Sequence, residues 1–169
     1  VIEAVLREDT IGLPEAETPP QVSLDNGAEY TMRVAPAKHQ INGRWVRIWS
    51  VNGSVPGPNL IVPQGAEIRI WLINETELPI TLHPHGVRVD WRHDGSPHSG
   101  GSVAPGEKKL CILRFPDAGV FWYHSHTRED YEMSRGYFGN FIVVPRDQNF
   151  YNPVHREQVL ILSDLLLRN

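Results

Sequence analysis

Two short motifs, each with a pair of histidines, are the parts of this sequence best suited to chemistry. His83 and His85 stand two residues apart, and so do His124 and His126. On an extended strand, residues two apart project from the same face, so each pair can bind a common target. A single pair is often no more than two surface histidines. Two pairs, each embedded in apolar and aromatic residues, favour a metal site.

The donor set narrows the choice of metal. Four imidazoles that converge from two strands suit copper or zinc, and copper is the better fit to an open, all-imidazole cluster. Cys111 is the one cysteine of the chain, so an internal disulfide is impossible and the redox compartment stays open. It lies within an apolar strand pattern, with no His and Met following at suitable spacing. We therefore predict a small buried hydrophobe rather than a ligand.

Short strands must position these histidines. Alternating apolar residues recur along the chain, for example at Ile68, Ile70 and Leu72, and Asn42-Gly43 is typical of a hairpin turn. Turn signals come every 8–12 residues or so, and no long helix is indicated. About eight strands of this kind predict an all-β fold, a Greek-key barrel or sandwich.

The ends of the chain have different patterns. Residues 1–28 are predicted to be an arm with little regular structure, apart from a short helix at 2–8. Residues 29–146 form the predicted domain, and 147–169 a linker and the first strand of a following domain. The apolar run at 156–166 predicts a strand with no later partner, which indicates pairing elsewhere or a longer polypeptide.

Composition excludes several classes of partner. The 169 residues are 40% hydrophobic and 21% charged, with a net charge of −4 and a pI near 6.1. This balance gives no sign of nucleic-acid binding, and no apolar run is long enough to span a bilayer. The first residues are not a signal peptide, so export is neither shown nor excluded.

A set of linked motifs carries a family resemblance. They are Asn-Gly-Ser-Val-Pro-Gly-Pro at 52–58, His-Pro-His-Gly at 83–86, Asp-Gly at 94–95, Trp-Tyr-His-Ser-His at 122–126 and Gly-Tyr-Phe-Gly-Asn-Phe-Ile-Val at 136–143. In order and spacing, residues 30 to about 165 resemble the N-terminal cupredoxin domain of laccase-like multicopper oxidases. The resemblance implies a cupredoxin-like fold.

The resemblance also implies a ligand set. In that family, the first domain donates four histidines to a trinuclear copper cluster that reduces dioxygen to water. By that pattern, His83 would bind the type 2 copper, and His85, His124 and His126 would bind the type 3 pair.

An acidic residue beside the family's cluster helps to deliver protons. Asp94 stands at its place here and is the catalytic candidate, with Asp90 as a second choice. The alternative for Asp94 is an ordinary turn aspartate, because Asp-Gly is a common turn pair.

The resemblance leaves part of the chemistry to other polypeptide. Ser125 occupies the slot where the family's cysteine-bearing domain has its type 1 ligand. A type 1 copper, four more histidines and the site for a phenol-type or metal-ion reductant are thus expected on further domains or a second chain. A secreted protein, extracellular or periplasmic, is the implied location.

Two rival classes and several residues stay open. A stand-alone copper-binding cupredoxin would store or pass copper without turnover, whereas a cupin-like enzyme is disfavoured because no glutamate follows the first pair at cupin spacing. The charged run at 128–132 is by default a solvated face, with a cluster entrance or a domain contact as alternatives. For His93 and His98 the alternatives are solvated loop histidines, extra metal ligands or residues of a substrate or proton channel. His39 and His155 are predicted to be structural or surface residues.

Overall fold

The computed structural model describes residues 9–164. Within that range there are nine strands, labelled β1 to β9, one α-helical turn, α1, and two 3₁₀ turns at Trp91–His93 and Pro97–Ser99. The strands are Gln21–Ser23, Glu29–Ile41, Arg44–Val51, Asn59–Pro63, Glu67–Asn74, His83–His85, Lys108–Arg114, Gly119–His124 and Phe138–Val144, and α1 is Glu129–Glu132. No helix among residues 9–164 is long and apolar enough to cross a membrane.

The strands form two sheets. One has five strands in the order β1-β4-β9-β8-β6, and the other has four in the order β3-β2-β5-β7. The pairs β1–β4, β4–β9 and β2–β5 are parallel, and the other pairs are antiparallel. Of the two architectures predicted, the described residues adopt the sandwich, with no closed barrel.

The core lies between the sheets. Ile68, Ile70 and Leu72 of β5 are fully buried, which confirms that one face of this strand is apolar because it packs inward. From the other sheet, Tyr123 and Phe141 enter the same cluster. The Asn42-Gly43 turn is also confirmed: both residues have positive φ, as a tight two-residue hairpin requires.

The two ends differ from their predicted structure. Within the predicted arm, residues 21–23 form β1, which pairs with β4 and extends the five-stranded sheet. Residues 156–164, part of the segment where a strand is expected, have no regular secondary structure in this chain by itself, and the strand that would pair with a following domain stays a prediction. Leu162 is 96% exposed there, so the apolar pattern has no described sheet edge to pair with. The remainder of that segment and the predicted helix at 2–8 lie outside the described residues.

Candidate metal centre

The two histidine pairs lie on adjacent strands. Strands β6 and β8 are antiparallel, and His83 is directly opposite His124. Cross-strand neighbours and residues two apart both share a face, so the register brings the rings together. Potential ligand atoms of His83, His85 and His124 all lie within 4.8 Å of one another, a spacing that can hold a metal ion.

The fourth histidine joins them from just beyond the end of β8. The His126 ring centroid is 4.7 Å from that of His83, and His83 is also 4.7 Å from His85 and 5.4 Å from His124. The structure therefore brings all four predicted ligands together around His83. Trp122 adds an aromatic wall, since its ring stacks on His85 and His124 at 4.8 and 4.4 Å.

Oxygen acceptors at Nδ1 orient three of the rings. The distances from Nδ1 are 2.5 Å to the Asp94 carbonyl for His83, 2.6 Å to the Ser125 carbonyl for His124 and 3.0 Å to Glu129 Oε1 for His126. An acceptor at Nδ1 places the ring proton there and leaves the Nε2 lone pair free for a metal.

The His124 ring provides the test of fit. Its Nε2 is buried and has no hydrogen-bond partner among the described residues. An unpaired buried polar atom costs free energy, which a bound metal ion would remove. Four converging imidazoles are a donor set that suits copper. The residues present therefore fit a copper site.

Burial keeps key rings neutral. The pKa of His124 is lowered to about 4, chiefly by burial, with a smaller contribution from the neighbouring His85 and His83, while the hydrogen bond to the Ser125 carbonyl opposes the change. Burial likewise lowers the pKa of His85, and so does the nearby His83. Neutral imidazole is the form that binds metal, so these two ligands are ready at pH 7.

Three polar residues, none of which was predicted to have this role, connect the segments that carry the histidines. Thr81 Oγ1 accepts a hydrogen bond from His126 N at 2.7 Å, and Ser125 Oγ accepts one from Thr81 N at 2.9 Å. The Tyr137 hydroxyl donates to Thr81 O at 2.7 Å. All three side chains are fully buried. The one available signal in the sequence was Thr81, two residues before the first histidine pair. Nothing near it in the sequence indicates its hydrogen bond with His126, which is 45 residues away.

The Asp94-Gly95 turn lies beside His83. Besides its carbonyl contact, Asp94 places Oδ1 at 3.7 Å from His83 Nδ1, with its side chain 37% exposed. Asp90 has a different role: its carboxylate accepts hydrogen bonds from the backbone and side chain of Arg92. Asp94 therefore borders the candidate centre, whereas Asp90 caps a 3₁₀ turn.

The other histidines lie on other segments of the chain. His98 lines an open groove of about 560 Å³ beside His126, formed by Pro97, His98, His126, Thr127, Arg128, Glu129 and Asp130. His93 lies in a 3₁₀ turn, His39 in β2 of the opposite sheet, and His155 is exposed. Cys111 is buried in the core on β7, as predicted, and burial raises the pKa of its thiol to about 11.

Comparison with known proteins identifies the family. The model of the family described as "Multicopper oxidase" matches residues 33–148. The chain belongs to that family. This multicopper oxidase domain is 25% identical over 146 residues to Copper resistance protein A of Pseudomonas syringae pv. tomato, covering 86% of the chain. It is 31% identical over 104 residues to Multicopper oxidase MCE of Talaromyces pinophilus, covering 57% of the chain and 16% of that protein.

Solved structures extend the likeness to the fold. The multicopper oxidase of Pseudomonas thermotolerans superimposes with a TM-score of 0.68 at 33% identity, covering 75% of this chain and 31% of that one. The blue copper oxidase of Nitrosomonas europaea superimposes with a TM-score of 0.68 at 29% identity, covering 77% of this chain and 41% of that one. The expected cupredoxin-like sandwich is thereby confirmed. The domain spans about a quarter of the length of the copper resistance proteins that it matches, 24% and 26%.

Proposed function

We propose that this chain is the first cupredoxin domain of a laccase-like multicopper oxidase and supplies four ligands to its trinuclear copper cluster. The observation that carries the proposal is the buried, unpaired Nε2 of His124, set among three other imidazoles. His83 would bind the type 2 copper, and His85, His124 and His126 the type 3 pair. Copper held there would supply the electron transfer by which dioxygen is reduced to water.

The histidines lie on the face of the sheet that points away from the core. Tyr123 points into the core, and side chains alternate along β8, so Trp122 and His124 project outward. Val120, on the same outer face, is 67% exposed. This arrangement supports a cluster completed by a second surface, from further domains or a second chain. That surface would add the remaining histidines, and a type 1 copper there would oxidise a phenol-type or metal-ion reductant.

Asp94 is proposed to supply protons. Reduction of dioxygen to water consumes protons, which must reach the metal site from solvent. The Asp94 carboxylate meets both requirements, because it is partly exposed and lies 3.7 Å from the His83 ring. A positioned carboxyl group can act as a general acid at such a site. An extracellular or periplasmic location belongs to the same proposal.

Removal of one ligand tests the copper assignment. In the full natural protein loaded with copper, His124→Ala should remove the coppers of the cluster and their near-ultraviolet absorption, while the blue type 1 band persists. His39→Ala is the matched control, since His39 lies on β2 of the other sheet and should change neither. Full copper content in the His124→Ala protein would contradict the proposal.

A copper-binding module without turnover is the second candidate. Three histidines of this one chain already lie close enough to hold a metal ion, which favours binding by the chain alone. Native mass spectrometry that counts polypeptides and copper atoms separates the two functions. Three or more coppers in an assembly with a type 1 site would support the oxidase. One copper on a lone chain without blue absorption would support the binding module.

A further inference from the structure

The hydrogen bonds between the two histidine strands change in kind where the strand pairing ends. Strands β6 and β8 are paired at three positions, and the last of them sets His83 opposite His124. If the same register continued by two residues, it would set Thr81 opposite His126. In a hydrogen-bonded antiparallel pair, opposite residues exchange backbone N–H and carbonyl groups directly. At Thr81 and His126, side chains take over this exchange.

Both backbone N–H groups donate to side-chain hydroxyls. The His126 N–H donates to Thr81 Oγ1 at 2.7 Å, and the Thr81 N–H donates to Ser125 Oγ at 2.9 Å. The Thr81 carbonyl accepts from the Tyr137 hydroxyl at 2.7 Å. Thr81, Ser125 and Tyr137 are 0% exposed, so water cannot substitute for these bonds. Thr81 is therefore fixed through its N–H, its carbonyl and its hydroxyl.

Thr81 connects the last ligand of the second pair with the first ligand of the first pair. His126 lies beyond the end of β8, so the regular pairing of β8 with β6 does not reach it. Thr81 lies two residues before His83, and its Oγ1 holds the backbone of His126. The ring centroids of His83 and His126 are 4.7 Å apart. Loss of the Thr81 hydroxyl should therefore move His126 relative to His83, whereas the strand pairing keeps His83 and His124 in register.

We propose that Thr81 is a positioning residue, whose hydroxyl holds the backbone of His126 so that its ring reaches the copper site. The proposal rests on the proposed copper site and deepens it. Groups that orient a metal ligand commonly change metal affinity by about 10–100-fold when they are removed. Threonine suits the role because its hydroxyl accepts the N–H, whereas valine has a similar shape and no acceptor.

The test removes the hydroxyl in one variant and keeps it in another. In the full natural protein, Thr81→Val should weaken copper binding at the cluster by about 10-fold or more, measured by competition with a chelator. Because His126 is assigned to the type 3 pair, the near-ultraviolet absorption of that pair should also change, while the blue type 1 band persists. Thr81→Ser keeps the hydroxyl and should therefore retain most of the affinity and the absorption.

A matched control separates positioning from folding. Thr76 is also buried, at 5% exposed, and its hydroxyl lies 2.8 Å from Asn74 Oδ1 and 3.0 Å from the Leu78 carbonyl. Thr76→Val should lower the melting temperature of the copper-free protein without changing copper affinity or absorption. Melting of copper-free Thr81→Val gives the effect of that substitution on the fold alone.

The outcomes decide between positioning and a general structural role. Unchanged affinity and absorption in Thr81→Val would overturn the proposal, and so would equal losses in Thr81→Val and Thr81→Ser. If Thr81→Val fails to fold, Ser125→Ala decides, because it removes the acceptor of the Thr81 N–H. Weaker copper binding in that protein supports the proposal, and unchanged binding and absorption overturn it. Unsubstituted protein without copper at the histidines would instead overturn the proposed function.

Discussion

His83 contacts a single residue, Asp94, through two different groups. Its ring has three imidazole neighbours, and its Nδ1 meets both the carbonyl and the carboxylate of Asp94. The carbonyl contact orients the ring and does not depend on the Asp94 side chain. The carboxylate is thus free for a second role at the same residue. Orientation and proton supply can therefore be separated by changing the side chain alone.

Asp94→Asn tests the proton role at this scale. The substitution keeps the backbone carbonyl and the side-chain shape, so copper content should not change. It removes the acid, so turnover with dioxygen should fall by about 100-fold, as expected for loss of a general acid. Steady-state oxygen consumption and copper analysis of the full protein measure the two effects. Asp90→Asn is the control and should leave turnover unchanged, and equal turnover in Asp94→Asn would contradict the role.

Between the two 3₁₀ turns that follow strand β6, Trp91–His93 and Pro97–Ser99, a glycine lets the loop approach the site. Gly95 has φ of +76°, and a Cβ there would lie 1.9 Å from the Leu82 carbonyl oxygen and 2.9 Å from His83 N. The turn thus packs directly on the backbone that leads into β6. That close approach is what brings Asp94 against His83.

Gly95→Ala should therefore disturb both the fold and the site. Gly100→Ala is a matched control, because Gly100 has φ of +70° but no atom within 4 Å of its added Cβ. The control should lose about 1 kcal/mol of unfolding free energy from backbone strain alone. Gly95→Ala should lose roughly 1–3 kcal/mol more through steric overlap. Denaturant unfolding measures both, and equal losses would show that the overlap relaxes without cost.

Elements whose signal is local were predictable from the sequence. The alternation in β5 and the Asn42-Gly43 turn depend on neighbouring residues, and the structure reproduces both. Spacing likewise located the four histidines. Strand β1 and residues 156–164 were not predictable, because a strand is defined by its partner, and β1 pairs with a segment 38 residues away. The burial of Glu132, within the charged run at 128–132, was missed for the same reason, since it depends on packing in three dimensions rather than on the neighbouring sequence.

The molecule as a whole divides its tasks between two sheets. The five-stranded sheet carries the histidines on its outer face, and the four-stranded sheet covers its inner face. Cys111 lies on β7 of that second sheet, inside the shared core and 4% exposed. Its side chain therefore reports whether the two layers remain together.

Cys111 should be inert until the sandwich opens. Burial raises the pKa of the thiol to about 11, so the reactive thiolate is absent at pH 8 in the folded protein. Unfolding returns the pKa toward its ordinary value near 8.5, and the thiolate fraction rises. With a chromogenic disulfide reagent, the copper-free protein should react only in denaturant, in step with loss of β-structure. Rapid reaction in native buffer would show that the layers separate locally.

The position of β6 has a consequence for local motion. Among the described strands, this three-residue strand is the outermost of its sheet and has β8 as its one hydrogen-bonded neighbour. Edge segments of this kind open most easily, and their amide protons exchange soonest. Copper ions of the type 3 pair, held by His85 of β6 and His124 of β8, would bridge the same two strands from the side-chain face. Metal binding would then stabilise the pairing of β6 with β8. Slower exchange of the β6 amide protons would show this effect without any measurement of catalysis.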